Sequence, residues 1–328
     1  MPSEGLYQPV HREYMPPSTL LKRQEWAQPF LVLLSAAFAY FAPYTGLFLV
    51  FVILGPAHYL TQMNWMHDRD YFIHDQKAKF IYMGLTVAGL SLFLFMKFMP
   101  LVYALCAFGS LLTACFFLSH RMQKRYAILP ILSLAVTYLF FAKLPALVLP
   151  ALIFLPIIHV GIFTLIFLMQ GARKNRGPAA KAAVITWIFC FFLLVFVPPT
   201  AHMTWTTGLA ANHHFFDGTA RFLSALGGSR MTHDRAWSLA YGLLTFFYTY
   251  HYLNWFSKTE LLQWHRIKRR RLYPIIAIYI TAICIYAYDY KTGYEILFLL
   301  SVLHMIAEFP LDFIALRGLF ACKDVAAA

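Results

Sequence analysis

Residues 236–271 read AWSLAYGLLTFFYTYHYLNWFSKTELLQWHRIKRRR. The passage begins as an apolar stretch about as long as a bilayer is thick, with His251 well inside it. It leaves through Asn254, Trp255, Ser257 and Lys258, passes Trp264 and His265, and ends in Lys268, Arg269, Arg270 and Arg271. An ionisable residue within a spanning helix, an aromatic belt and a basic stop are three separate membrane signals. Of the three, the histidine is the one that calls for a functional explanation.

Composition points the same way. Hydrophobic residues make up 60% of the chain and charged residues 12%, well below the roughly 25% charged of a soluble domain. Mean hydropathy is +0.61. The expected fold class is therefore all-α: a polytopic integral membrane helical bundle. The net charge of +13 comes from basic residues in short loops. Membrane orientation and lipid headgroups account for these better than nucleic acid does, so no nucleic-acid partner is expected. Cys106, Cys115, Cys190, Cys284 and Cys322 show no CxxC pairing and read as small apolar residues without a disulfide framework.

The chain divides into a polar arm (1–28), a single transmembrane domain (29–317) and a C-terminal tail (318–328). The arm lacks the charged-then-apolar-then-small pattern of a cleaved signal peptide. Apolar segments at 30–54, 80–98, 101–118, 127–142, 147–169, 182–200, 236–257, 273–289 and 294–316 suggest about nine spans. Under that count, 18 of the 27 Lys and Arg residues fall on one side, which receives the 55–79, 119–126, 170–181 and 258–272 loops and the C-terminus. The positive-inside rule makes that side cytoplasmic and puts the N-terminus outside. The expected location is a multi-pass protein of a bacterial inner membrane. The segment 201–235 reads as an outer interfacial or re-entrant element whose His202, His213, His214 and His233 are solvated, with a second metal site at His213-His214, Asp217 and His233-Asp234 as the alternative.

Three further histidines fall within apolar segments and a fourth, His58, at the cytoplasmic end of the first segment. His58 follows Gly55-Pro56-Ala57, and His159 lies in LPIIHVGIF. His251 is on the segment quoted above. His304 lies in SVLHMIAEFPLDF, with Glu308 one helical turn on and Asp312 another. Ionisable groups in hydrocarbon are costly, so they face the bundle interior, pair, or line a pathway. Neutral imidazoles with a carboxylate make a transition-metal donor set, and a carboxylate can also orient a ligating histidine. His58, His159, His251, His304 and Glu308 are thus candidate metal ligands, with Glu308 and Tyr250 as candidate catalytic groups. Pro310 is expected to break the helix just after them. A lone buried histidine is more often a packing residue, and His159 has no polar neighbour in sequence; four such residues on four segments favour a site. The HxxxH and HxxHH boxes of membrane desaturases are absent. The loop run NWMHDRDYFIHDQK, with His67 and His74, reads equally as a solvated loop or as a metal or phosphate site.

Gly55-Pro56-Ala57-His58 and FFYTYHYLNW (246–255) resemble two passages of the Brp/Blh family of bacterial membrane enzymes, which cleave β-carotene to retinal. In that family one histidine follows Gly-Leu-Pro, and others lie on an aromatic-rich helix. Position 255 is Trp where the family would have His, so only His58 and His251 carry over. The resemblance implies a polytopic helical fold, a histidine-ligated iron and a lipophilic polyene substrate.

The combined expectation is an integral membrane metal-dependent oxidoreductase acting on a lipid- or isoprenoid-like molecule. Iron is the expected cofactor, with zinc or copper as alternatives, and an electron-donor protein as a further partner. A histidine-lined proton or metal-ion transporter is the alternative, and a non-catalytic membrane subunit the third reading.

Overall fold

The computed structural model describes residues 18–70, 73, 75–84, 109–110, 112–113, 128–144, 157–175, 177–199, 224 and 232–320. All regular structure among them is helical. The elements are α1 (Ser18–Phe41), α2 (Pro43–Leu49), a π turn (Val50–Leu54), α3 (Gly55–His67), α4 (Ile128–Lys143) and a second π turn (Ile158–Phe163). There follow α5 (Thr164–Asn175), α6 (Pro178–Phe196), α7 (His233–Ser257), the short α8 (Thr259–Leu262), α9 (Arg269–Tyr288) and α10 (Tyr290–Phe320). Most of the expected spans 80–98 and 101–118, most of 201–235, and His74, His120, His202, His213 and His214 lie outside the described residues.

Among the described residues, four helices are long and apolar enough to cross a membrane: Pro43–His67, Pro178–Phe196, Arg269–Tyr288 and Thr292–Leu316. On α6, Ile185, Phe189, Phe192 and Phe196 face outward, as do Tyr273, Ile276 and Ile280 on α9. These are surfaces for lipid. The chain is therefore membrane-like by its helices.

The helix that dominates the sequence plays a different part. Thr232 caps α7 by accepting from the Arg235 N–H at 3.3 Å, and Asp234 in the first turn suits the positive helix end. The helix runs 25 residues, about 38 Å. It is not one of the four apolar spans, and nearly every residue from Ala236 to Tyr252 is buried. It is the central post of the bundle, contacted by α1, α2, both π turns, α3 and α6. Burial on all sides explains why its sequence is aromatic and polar rather than uniformly aliphatic.

The segment 30–54, expected as one span, is two antiparallel helices. Ala42 leaves helical geometry (φ −141°, ψ 56°) and Pro43 restarts the chain at a first helical position, which proline favours. Thr245 donates to the Pro43 carbonyl at this corner. Down α7 from there, Phe51 meets Tyr248 and Tyr59 meets Tyr252, while Gln28 on α1 returns to Ser257 at 3.1 Å. The start of α1 thus lies at the same end as the 258–268 connection, where the nine-span count had placed the two on opposite sides. Residues 55–67, expected in a loop, are helical and largely buried.

The expected break at Pro310 is also absent: α10 continues through it. Proline removes the N–H that would bond the carbonyl four residues back. That carbonyl belongs to Ile306, and the buried Tyr82 hydroxyl donates to it instead. At the far end of α10, Gln170 and Arg173 donate to the Ala315 and Leu319 carbonyls, so α5 caps α10.

Candidate metal centre

Four elements deliver one histidine each to a buried point beside α7: His58 from α3, His159 from the second π turn, His251 from α7 and His304 from α10. All four are buried, with Glu308 at 3% exposure and Asp312 at 0%. Their rings form a closed circuit. Centroids are 4.7 Å apart for His58–His251, 5.2 Å for His251–His159, 5.2 Å for His159–His304 and 5.4 Å for His304–His58.

Those spacings are informative. With metal–nitrogen distances of about 2.0–2.1 Å, two imidazole centroids around one ion lie about 4.5 Å apart at a right angle and about 5.2 Å apart at the tetrahedral angle. His251 Nε2 and His58 Nε2 are 3.0 Å apart, the separation of two donors about 90° apart on one ion. A hydrogen bond between the two rings accounts for that distance as well. It leaves the other three ring contacts unexplained, and it leaves Nε2 of both His159 and His304 buried without a hydrogen-bond partner. Among the described residues, two groups have donor atoms within 4.8 Å of one another and could hold a metal ion: His58, His251 and His304, and His159, His304 and Glu308. His304 is common to both. The donors are nitrogen and oxygen without thiolate, which suits iron, copper or zinc.

A second layer surrounds the rings. Gln62, one turn from His58, donates to Glu308 Oε2 at 2.5 Å. Glu308 Oε2 is also 3.4 Å from His159 Nε2, and Asp312 Oδ2 is 3.4 Å from His159 Nδ1. Glu308 and Asp312 follow His304 at four-residue steps, so one face of α10 carries all three. Thr164 Oγ1 lies 2.7 Å from His251 Nδ1. Tyr59 stacks on His304 (4.2 Å, 21°), and its hydroxyl meets that of Tyr252 at 2.5 Å. Tyr252, Trp255 and Phe256 wall off His58 at 4.8–6.5 Å.

All five expected ligand residues therefore meet. Tyr250 does not join them: its hydroxyl donates to Gln28 Oε1 at 3.0 Å, toward α1. One position on an α-helix is about 100° of rotation, which turns Tyr250 away when His251 faces the site. His265 and His67 are exposed at the basic end of the bundle. The residues that sequence reasoning missed are Thr164 and Tyr59. Gln62 had a signal in its four-residue spacing from His58. Thr164 had none at helical period, because it follows His159 by five residues. Five residues is close to a full turn where hydrogen bonds run i→i+5, but about 140° away around an α-helix. The π turn at Ile158–Phe163 is what brings His159 and Thr164 to the same side. Comparison with protein-family models, curated proteins and solved structures finds no match for this chain.

Proposed function

We propose that this chain is a multi-pass metalloenzyme of a bacterial inner membrane, an iron-dependent oxidoreductase acting on a lipophilic, isoprenoid-like substrate. The observation that carries the proposal is the closed circuit of four buried imidazoles at 4.7–5.4 Å, contributed by four separate elements. Helix packing alone gives no reason for four costly polar rings to converge. The two histidines that carry the Brp/Blh resemblance, His58 and His251, are neighbours in that circuit.

In this reading His58, His251 and His304 hold the metal, with His159 and Glu308 closing the other side. Iron bound there would supply redox and Lewis-acid chemistry toward dioxygen and a substrate double bond. The protein's own residues do the rest. Tyr59, Tyr252, Trp255 and Phe256 exclude water and present an apolar, aromatic wall suited to a polyene and unsuited to a charged substrate. Gln62 fixes Glu308 Oε2, leaving that carboxyl beside His159 as the group able to take or give a proton. An electron-donor protein would meet the basic end, where Arg266, Lys268, Arg269 and Arg270 are exposed. That basic end is the cytoplasmic one, and it holds both the start of α1 and the end of α10.

One arrangement favours a second reading. The series Gln62–Glu308–His159–Asp312 is a line of buried polar groups at steps of 2.5–3.4 Å, the arrangement from which a proton pathway is built. Elemental analysis of detergent-purified protein separates the two. About one iron per chain, lost on replacing His58, His251 or His304 by Ala and kept on replacing His213 or His214, is the expected result. A folded protein without bound metal, or equal loss from both groups of variants, overturns the enzyme reading.

A further inference from the structure

We propose that Thr164 is a positioning residue for His251, resting on the metal reading of the site and extending it to a residue outside the donor set. Thr164 is 2% exposed, and its Oγ1 lies 2.7 Å from His251 Nδ1. His251 Nε2 points the other way, 3.0 Å from His58 Nε2. When the Nε2 lone pair faces the centre, the ring hydrogen sits on Nδ1 and donates to the threonine oxygen. The hydroxyl then sets both the tautomer and the tilt of the ring, as the orienting partners of ligating histidines do.

Four other helical hydroxyls among the described residues behave differently. Thr61, Thr113 and Thr137 each bond the carbonyl four residues back, at 2.7–2.8 Å, and Ser35 does the same at 2.7 Å. That back-bond is the default for Ser and Thr inside helices. Thr164 instead reaches across to α7. The reason is its place as the first residue after the Ile158–Phe163 π turn. In the wider turn, His159 and Thr164 share a face, so one element supplies both a donor imidazole and the partner that orients another. The turn also carries Gly161, whose missing side chain lets Phe247 of α7 approach; a Cβ there would lie 3.2 Å from the ring. The approach of α7 and the reach of Thr164 thus come from the same irregularity.

The test uses full-length protein in detergent, stripped and titrated with Co(II) as the probe, for Thr164→Val, Thr164→Ala and Thr164→Ser. Valine keeps the shape and removes the hydroxyl. The Ala and Ser pair supplies the same comparison if valine prevents folding, since both lack the methyl group and only Ser keeps the oxygen. The expected result is Co(II) affinity about 10–100-fold weaker in Val and Ala and parent-like in Ser. At saturating Co(II), the visible absorption bands should move in Val and Ala and not in Ser. Thermal midpoints of the metal-free forms should not follow this order, whereas the metal-induced rise should. Parent-like affinity and spectrum in Val and Ala would overturn the positioning role while leaving the metal centre standing. Equal weakening in Ser and Ala would make the role one of packing and overturn it too. A parent protein that takes up no Co(II) would overturn both this proposal and the metal reading beneath it.

Discussion

Replacing Glu308 separates its structural contribution from its chemical one. The carboxylate is 3% exposed and accepts the Gln62 amide at 2.5 Å. Glu308→Ala removes that acceptor and leaves a buried amide donor unpaired, a loss of about 1–3 kcal/mol. The methylene packing lost with it adds about 0.8 kcal/mol per group. Glu308→Gln keeps an oxygen for Gln62 at nearly the same volume and gives up only the charge, so the metal-free protein should lose about 1 kcal/mol or less. A gap of about 2 kcal/mol between the two variants in metal-free unfolding is therefore expected. Metal binding should rank differently. Both variants lose the carboxylate beside His159, and affinity should fall about 10–100-fold in each, equivalent to about 1.4–2.7 kcal/mol. The assays are thermal or denaturant unfolding in detergent, iron stoichiometry, and proton flux in liposomes on the same preparations. Equal stability of Glu308→Ala and the parent would refute the reasoning about Gln62. Proton flux in the parent that disappears in Glu308→Gln, with no metal in either, would replace the enzyme with a transporter.

Two further outcomes follow from the bundle. Reporter fusions at the two ends should both be active in the cytoplasm, because Gln28 meets Ser257 and Arg173 meets Leu319 at one basic end; an external N-terminal reporter would contradict the α1–α2 hairpin. Gly161→Ala should destabilise the protein by about 1–3 kcal/mol in unfolding measurements, since Phe247 stacks on Trp187 (7° between planes) and has little room to yield; an unchanged midpoint would show that α7 can move.

Membrane character was legible at once, because the composition of a bilayer-facing helix is unlike that of a soluble one. The hairpin at Ala42 was harder to see. Hydropathy stays high from Leu31 to Leu54, so a window average runs over the corner, and the one local sign is Pro43 after Ala42. Pro43 was readable as a helix start, yet a proline inside an apolar run is also common in spanning helices that do not turn back. Pro310 is such a case: it sits inside α10, and the carbonyl it frees is taken by Tyr82 from a segment more than 200 positions away. No local pattern could reveal that partner. The two prolines differ in what lies across from them, and that is decided by packing.

The site divides along the same line. His304, Glu308 and Asp312 were recognisable as one face of one helix from their four-residue spacing, and the structure keeps them together. His58, His159 and His251 could be named as residues too costly to bury without purpose, but nothing in the sequence ordered them around a ring. Their order comes from the antiparallel return of α1 into α2, which lays α3 alongside α7, and from the π turn, which twists His159 and Thr164 onto one side. Both are departures from regular helix. A straight α-helix through 158–164 would aim either His159 or Thr164 at His251, and not both. The irregular turn is therefore where the fold gives up hydrogen-bond regularity to bring donor and orienter together, and it is the first place where a change of one residue in length should dismantle the centre without unfolding the bundle.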